Sequence, residues 1–153
     1  MMRMHHAISP ARLPCICGTL RKASRSISRV YDAELANAGV KVSQYSILTI
    51  VKRSGGEELS RLAEKMVMDR TSLYRALAPM VRARWLVIKD AEKGRAKIVC
   101  LTRRGLRVQA DATVHWENAQ ARLVGLFGTA RWLDMQQGIV ALAALGVEMG
   151  APL

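Results

Sequence analysis

Cysteines, acidic residues and long apolar stretches are all scarce in this chain of 153 residues. Three cysteines, an odd number, do not form a disulfide framework, so we expect a reduced, cytoplasmic protein. The longest apolar run, Ile139 to Val147, is far shorter than the ~18–20 residues of a membrane span. Residues 1–10 lack the apolar stretch of a secretory signal. We therefore do not expect a membrane, secreted or collagen-like protein, and we expect a single domain over residues 1–153.

The charge is distributed unevenly along the chain. In total, 24 Lys and Arg stand against 12 Asp and Glu, which gives a formal net charge of +12. Residues 52–107 contain 15 basic and 6 acidic side chains, whereas residues 108–153 contain 2 basic and 4 acidic ones. Clustered Lys and Arg favour contact with a polyanion, although charge alone fits a solvated basic surface equally well. The basic middle and the apolar tail therefore point to two different tasks.

Helical periodicity is clearest at the two ends of the chain. Between Cys15 and Ala38 apolar residues recur at steps of three and four, and Gly39 is placed to end that helix. A last helix that starts at Thr129 is apolar on nearly all sides, so it requires cover from a partner chain. We predict a dimerisation region over residues 15–39 and 108–150. Its predicted contact residues are Ile16, Leu20, Trp132, Met135, Ile139, Leu142 and Leu145.

The middle of the chain, residues 40–107, predicts three short helices in its first part. Ser43 is the expected N-cap of the first helix, and the Ser54-Gly55-Gly56 segment ends it. Apolar residues at helical spacing over residues 59–66 predict the second helix, and Asp69 is the expected N-cap of the third. Short helices with small connections in this order are typical of a helix-turn-helix.

After the third helix the pattern of apolar residues changes from helical spacing to short runs of strand length. Two apolar runs of strand length, residues 85–90 and 96–101, flank a charged loop around Gly94, which is the pattern of a β-hairpin. Thr102 is then expected to cap a helix that runs past Phe127. A basic hairpin directly after a helix-turn-helix is a wing. The predicted fold is therefore mainly α with a small β-wing, a winged helix-turn-helix with flanking dimerisation helices.

The third helix and the hairpin concentrate side chains that suit DNA. Arginine forms paired hydrogen bonds with guanine, and short hydroxyls bind bases or phosphates. A narrow minor groove attracts an inserted arginine, so we assign that contact to Arg95 and phosphate contacts to Lys93 and Lys97. The alternative is a surface helix and turn with ordinary solvated charges. The predicted DNA-binding residues are Ser43, Arg70, Thr71, Ser72, Tyr74, Arg75, Lys93, Arg95 and Lys97.

Signals for catalysis or metal binding are weak. Cys15 and Cys17 stand two positions apart without a second Cys or His pair at zinc spacing. His115 has no evident nucleophile or carboxylate partner, and no phosphate-binding glycine loop is visible. We therefore expect no enzymatic activity, no metal and no cofactor.

Several segments, in order and across nearly the whole chain, resemble MarR-type winged-helix transcriptional regulators. They are residues 39–48, 62–64, 68–75 with Leu77 and Pro79, and 101–105. The resemblance implies a homodimer that is held by the first and the last two helices and binds a pseudo-palindromic operator. It also implies a repressor that small aromatic acids or oxidants release from DNA.

Three positions depart from the pattern of that family. Lys93 stands where an acidic partner of Arg95 is usual, so the ion pair that orients this arginine is missing. Arg84 and Val67 stand where glycines are common, after the third helix and between the second and third. We expect the turn at Val67 to be tighter or shifted.

The resemblance leaves two mechanisms open for the response to a signal. One is a small aromatic or anionic effector that binds a pocket near Arg21, Tyr31 and Trp116, because a guanidinium beside aromatic rings suits an aromatic carboxylate. The other is oxidation of Cys15 or Cys17, which a thiol pKa lowered at a helix N-terminus would favour. An architectural protein that binds DNA by charge alone is a further alternative to a sequence-specific regulator.

Overall fold

A computed structural model describes residues 13–91 and 94–149, which form α-helices and three short strands. The elements are α1 (Ile16–Leu35), α2 (Val42–Ser54), β1 (Glu57–Glu58), α3 (Leu59–Met66), α4 (Arg70–Arg82), β2 (Leu86–Asp90), β3 (Lys97–Leu101), α5 (Arg103–Phe127) and α6 (Thr129–Glu148). A 3-10 turn over Ala36–Ala38 extends α1 and ends at Gly39, whose φ of +65° is left-handed. The predicted winged helix-turn-helix with long flanking helices is confirmed.

The sheet is antiparallel and contains one strand that the sequence pattern did not predict. Its strand order is β1-β3-β2, and β2 pairs with β3 from Leu86↔Leu101 to Asp90↔Lys97. The unpredicted strand, β1, pairs Glu57 with Val99. It has two residues, so it is too short to show the alternation by which strands are recognised. It joins the start of α3 to the wing and so fixes the hairpin beside the helix-turn-helix.

The core lies between α2, α3, α4, the sheet and α5, and it also includes the end of α1. Apolar side chains at helical spacing in α3 and α4 are buried there, as their periodicity predicts. The largest fully buried side chains are Leu35, Ile47, Leu48, Val51, Leu62, Leu73, Leu77, Met80 and Val99.

The predicted cap of α2 is wrong. The helix begins at Val42, one residue before Ser43, and Lys41 occupies the N-cap position. Asp32 of α1 accepts a hydrogen bond from the backbone N–H of Val42 at 2.7 Å, and Gln44 Oε1 accepts one from the N–H of Lys41 at 3.0 Å. The Asp32 carboxylate of α1 therefore caps α2 in place of Ser43, which lies exposed in the first turn.

The caps of α4 and α5 are as predicted. Asp69 Oδ1 accepts a hydrogen bond from the Ser72 N–H at 2.9 Å, and Thr102 Oγ1 accepts one from the Gly105 N–H at 3.0 Å. Both caps satisfy amide groups that the helix itself leaves without a partner.

The start of α1 and the whole of α6 carry apolar side chains that lie uncovered. Ile16 of α1 is 54% exposed, Val140 of α6 is 65% exposed, and no residue of α6 is buried. In the part of the chain that the structure describes, no helix is long and apolar enough to cross a membrane. Apolar surface of this extent is typical of a protein interface.

The two positions where the sequence departs from expected glycines adopt the conformation that favours glycine. Val67, directly after α3, has φ +51°, and Arg84, after α4, has φ +59°. A left-handed backbone costs a residue with a Cβ roughly 1–2 kcal/mol, and it is rarer still for a β-branched one. Both connections therefore adopt a left-handed backbone that suits glycine and are strained by their side chains.

Val67→Gly is expected to raise the free energy of unfolding by about 0.5–1 kcal/mol, because relief of the strain exceeds the entropy that glycine loses on folding. Urea unfolding followed by circular dichroism measures the change. The matched control is Val114→Gly: Val114 is 56% exposed against 59% for Val67, but it lies inside α5. We expect the control to lose stability, and an equal loss at Val67 would contradict strain at that turn.

Candidate nucleic-acid interface

The N-terminal half of α4 presents a polar face to solvent. Leu73 and Leu77 are buried in the core, which directs the polar side chains of this half of the helix outward. Pro79 lies inside the helix without ending it. All five residues of this helix that were predicted to contact DNA are exposed, namely Arg70, Thr71, Ser72, Tyr74 and Arg75.

Three of the predicted cations meet in one cleft. Arg70 at the start of α4 lines it together with Arg95 and Lys97 of the wing. The floor and the remaining wall are small or apolar and come from α3 and the wing, namely Leu59, Ser60, Ala63 and Ala96. The sheet register and the Asp69 cap together bring a helix end and a hairpin to one basic surface. Such a surface concentrates positive potential where a phosphate backbone could lie.

The wing residues differ in how free their charges are. Lys97 donates to Asp90 directly across the hairpin, and both side chains are exposed. An exposed ion pair of this kind is worth ~1 kcal/mol or less, so a phosphate could replace Asp90. Among the described residues, no carboxylate forms an ion pair with Arg95, in line with the missing acidic partner. Lys93, the other predicted phosphate contact, lies outside the described residues.

The hydroxyl and amide of Ser72 are both engaged in the cap of α4. Its Oγ donates to Asp69 Oδ2 at 2.6 Å, which leaves this hydroxyl able to accept but not to donate a further hydrogen bond.

Sequence reasoning missed Arg82, which is exposed at the end of α4. Arg82 lies seven residues after Arg75, about two helical turns further on the same face. That spacing was visible in the sequence and could have identified it.

The aromatic residues of the predicted effector pocket converge, but Arg21 does not join them. Trp116 stacks between Tyr31 and Tyr45, with ring centroids at 6.2 and 5.6 Å. Tyr31 donates a hydrogen bond to Gln120, and burial raises the pKa of its hydroxyl. Arg21 is exposed about 15 Å further along α1, because each helical residue rises ~1.5 Å. Within one chain Arg21 therefore does not reach these rings.

The two N-terminal cysteines are exposed at the start of α1. Cys15 occupies the N-cap position and Cys17 lies in the first turn. The backbone N–H of Gly18, followed by that of Cys17, lowers the pKa of the Cys15 thiol, and the guanidinium of Arg21 adds a smaller effect. Cys15 therefore has a larger thiolate fraction than an ordinary exposed cysteine.

Comparisons with known proteins give structural matches. No protein-family model and no curated protein sequence matches the chain. The transcriptional regulator MosR of M. tuberculosis, solved in complex with DNA, superposes with a TM-score of 0.81 at 26% identity. That match covers 89% of this chain and 98% of MosR.

Two further solved structures share the fold at lower identity. A mutant of MarR from E. coli, complexed with operator DNA, has a TM-score of 0.75 at 12% identity and covers 83% of this chain and 92% of its own. CouR from Rhodococcus jostii, bound to p-coumaroyl-CoA, has a TM-score of 0.72 at 18% identity and covers 84% of this chain and 91% of its own. With its wing, its helix-turn-helix and its long flanking helices, the chain has the winged-helix fold of the MarR-type transcriptional regulators that it matches.

Proposed function

We propose that the chain is a sequence-specific DNA-binding repressor that acts as a homodimer on a pseudo-palindromic operator. The observation that carries the proposal is the cleft in which Arg70, Arg95 and Lys97 meet beside the exposed face of α4. MosR, which matches this chain at 26% identity, was solved in complex with DNA, and this supports DNA as the partner. The protein has one domain, with residues 40–107 as the DNA-binding lobe and residues 15–39 and 108–150 as the dimerisation region.

Each lobe reads one half of the operator through two elements. The N-terminal half of α4 enters the major groove, where Arg75 binds a guanine edge, and the wing places Arg95 in the adjacent minor groove. Lys97 leaves Asp90 for a phosphate, and Arg82 extends the same helix face towards the backbone. Ser43, exposed in the first turn of α2, contributes a backbone contact.

The second copy of the chain covers the apolar faces of α1 and α6. Ile16 and Leu20 of α1 and the stripe from Trp132 to Leu145 of α6 form the interface, since a face this apolar is stable only when covered. A second stripe on α6, Leu133, Val140 and Val147, is equally uncovered and belongs to the same interface. Two-fold symmetry then places the two copies of α4 one turn of DNA apart, about 34–36 Å.

The test starts from an operator obtained by selecting bound fragments of genomic DNA. Arg75→Ala is expected to weaken operator binding by about 1–3 kcal/mol and to relax the base preference at one position. Arg95→Ala is expected to weaken binding with little change in base preference, because a minor-groove arginine reads width more than identity. Fluorescence anisotropy on operator and scrambled duplexes measures both effects.

Arg122→Ala is the control, because it removes the same charge from the exposed surface of α5, away from the cleft. We expect this variant to bind like the wild type. If Arg75→Ala and Arg95→Ala both weaken binding to operator and to scrambled DNA equally, the protein is not a sequence-specific regulator. It would then be an architectural protein that binds DNA by charge alone.

A small aromatic or anionic ligand releases the protein from DNA in this proposal. It binds near Tyr31 and Trp116, where the stacked rings lie between α1, α2 and α5. The p-coumaroyl-CoA complex of CouR supports a ligand of this class. Arg21 of the same chain lies too far from these rings to pair with the carboxylate of the ligand. Any guanidinium that does so therefore belongs to another residue.

The lowered thiol pKa favours a second candidate, an oxidant-sensing regulator. In that case peroxide oxidises Cys15 to a sulfenic acid and is itself reduced to water, and Cys17 then displaces a second water to form a disulfide. Operator affinity of the wild type and of Cys15→Ser, with peroxide and with a panel of aromatic acids, separates the two. Release by peroxide alone, lost in Cys15→Ser, would establish the thiol switch and exclude the ligand.

A further inference from the structure

A row of polar side chains joins α2 to α5, from buried Gln109 to exposed Lys52. Tyr45, Thr49 and Lys52 follow one another along one face of α2 at steps of four and three. Gln109, Thr113 and Trp116 follow along one face of α5 at the same steps, and the two rows face each other. We call Thr49, Lys52, Gln109 and Thr113 the α2–α5 polar seam.

Gln109 is the centre of this seam. Its Oε1 accepts a hydrogen bond from Lys52 Nζ at 2.6 Å. Its Nε2 donates to Thr113 Oγ1 at 3.0 Å and to Thr49 Oγ1 at 3.4 Å. Thr113 in turn donates to the backbone carbonyl of Gln109 at 2.8 Å and accepts from the Tyr45 hydroxyl at 3.3 Å.

Every polar group of the Gln109 side chain has a partner, although Gln109 is only 3% exposed. A buried amide is costly when it is unpaired, so the arrangement of α2 against α5 in which all these bonds form is favoured over its neighbours. Apolar contacts are not directional and would tolerate sliding or rotation of the two helices. The polar seam therefore determines the relative orientation of α2 and α5, beyond the adhesion that apolar contacts provide.

The two helices belong to different halves of the molecule. α2 is part of the helix-turn-helix, whereas α5 runs from the wing into contact with α1 and then leads to α6. The angle between α2 and α5 consequently determines the position of α4 relative to the dimerisation helices. In a two-fold dimer this angle affects the positions of both copies of α4.

On the basis of the function proposed above, we propose that Gln109 is a positioning residue that sets the spacing of operator half-sites the protein accepts. Adding one base pair between half-sites moves them ~3.4 Å apart and rotates one by about 35° around the duplex. A dimer with a fixed seam cannot follow that change on both sides. A dimer whose lobes can rotate against α5 follows it with a smaller loss of affinity.

The test compares three operators whose half-sites are unchanged and whose centre is shortened by one base pair, left as selected, or lengthened by one. We expect the wild type to prefer its own spacing by about tenfold or more, the size of one mismatch in a specific site. Gln109→Leu keeps the volume and removes the hydrogen bonds, and we expect its preference to fall to about threefold or less. The ratio between operators cancels any loss of folded protein, which affects all three equally.

Gln120→Leu is the matched control. It is the same substitution on the same helix, and it removes a hydrogen bond from Tyr31 that joins α1 to α5 within the dimerisation region. It should retain the spacing preference of the wild type. Lys52→Met provides a second test at an exposed residue, where folding is not at risk, and it should lower the preference in the same direction as Gln109→Leu.

The outcomes separate this inference from the function on which it rests. A wild type that binds no operator overturns the proposed function and the inference with it. A wild type that prefers operator to scrambled DNA but binds all three spacings equally overturns the inference alone. A wild type with a clear spacing preference that Gln109→Leu and Lys52→Met both retain overturns the positioning role alone. A preference that falls equally in Gln120→Leu also overturns it, because any weakened contact of α5 would then suffice.

Discussion

Replacing Leu142 with Asp is expected to leave the chain monomeric or aggregated and to abolish operator binding. Leu142 lies on the apolar stripe of α6, a helix with no buried residue in the single chain. Covering one leucine in an interface is worth about 1.5–3 kcal/mol, and two-fold symmetry counts it twice. An aspartate there would also be buried without a partner, which costs several kcal/mol more. Since each half-site alone is bound weakly, loss of the dimer should lower operator affinity ~100-fold or more.

Light scattering and anisotropy on the same samples measure the two consequences together. Ala141→Asp is the matched control, because it places the same charge at an exposed position next to Leu142, on the face of α6 that carries Asp134 and Glu148 seven residues to either side. We expect that variant to remain dimeric and to bind operator normally. A Leu142→Asp protein that stays dimeric and binds like the wild type would place the interface elsewhere.

Replacing Gly105 with Ala is expected to destabilise the fold by about 3 kcal/mol. A Cβ at this position would lie 2.0 Å from the Trp85 carbonyl oxygen and 2.9 Å from Leu101 Cδ2. The Trp85 carbonyl cannot move without breaking a hydrogen bond, because it accepts one from the Thr102 N–H at 3.0 Å. The Thr102 hydroxyl also donates to the neighbouring Arg84 carbonyl at 2.6 Å. These contacts hold the base of the wing against the first turn of α5, so the wing should be displaced as well.

Urea unfolding gives the loss of stability, and a double substitution reports on the wing. If the wing is displaced, Arg95→Ala should weaken operator binding less in the Gly105→Ala background than in the wild type. Gly125→Ala is the control on the same helix, where a Cβ meets nothing within 4 Å. It should be neutral or stabilising by up to about 1 kcal/mol. A stable Gly105→Ala protein with an unchanged Arg95 effect would contradict this account of the wing base.

The sequence predicts best those features that depend on neighbours in the chain. Asp69 and Thr102 cap the helices that follow them, and α5 and α6 meet at Gly128 between Phe127 and Thr129, because capping and helical period are local. The side chains expected on the DNA face of α4 are exposed for the same reason, since Leu73 and Leu77 fix which face is buried.

Features that depend on distant parts of the chain escape this reasoning. The start of α2 is set by Asp32 from another helix, so the local preference of Ser43 for a cap was overridden. The pair of Lys52 and Gln109 leaves no trace in spacing or composition, because each residue is ordinary within its own helix. Arg21 was grouped with the aromatic residues by chemistry, and distance along α1 separates them.

Because the apolar face of α6 is uncovered in the single chain, the stability of the protein should depend on its own concentration. When folding and association are linked, dilution shifts the balance towards separated, partly unfolded chains, so the melting temperature should rise with protein concentration. A separated chain would expose Val140 and Leu145 on a helix held by few contacts, and such a helix is readily opened and cut by proteases. In a cell with few copies, turnover would remove unpaired chains first, and the supply of active protein would fall more steeply than its rate of synthesis.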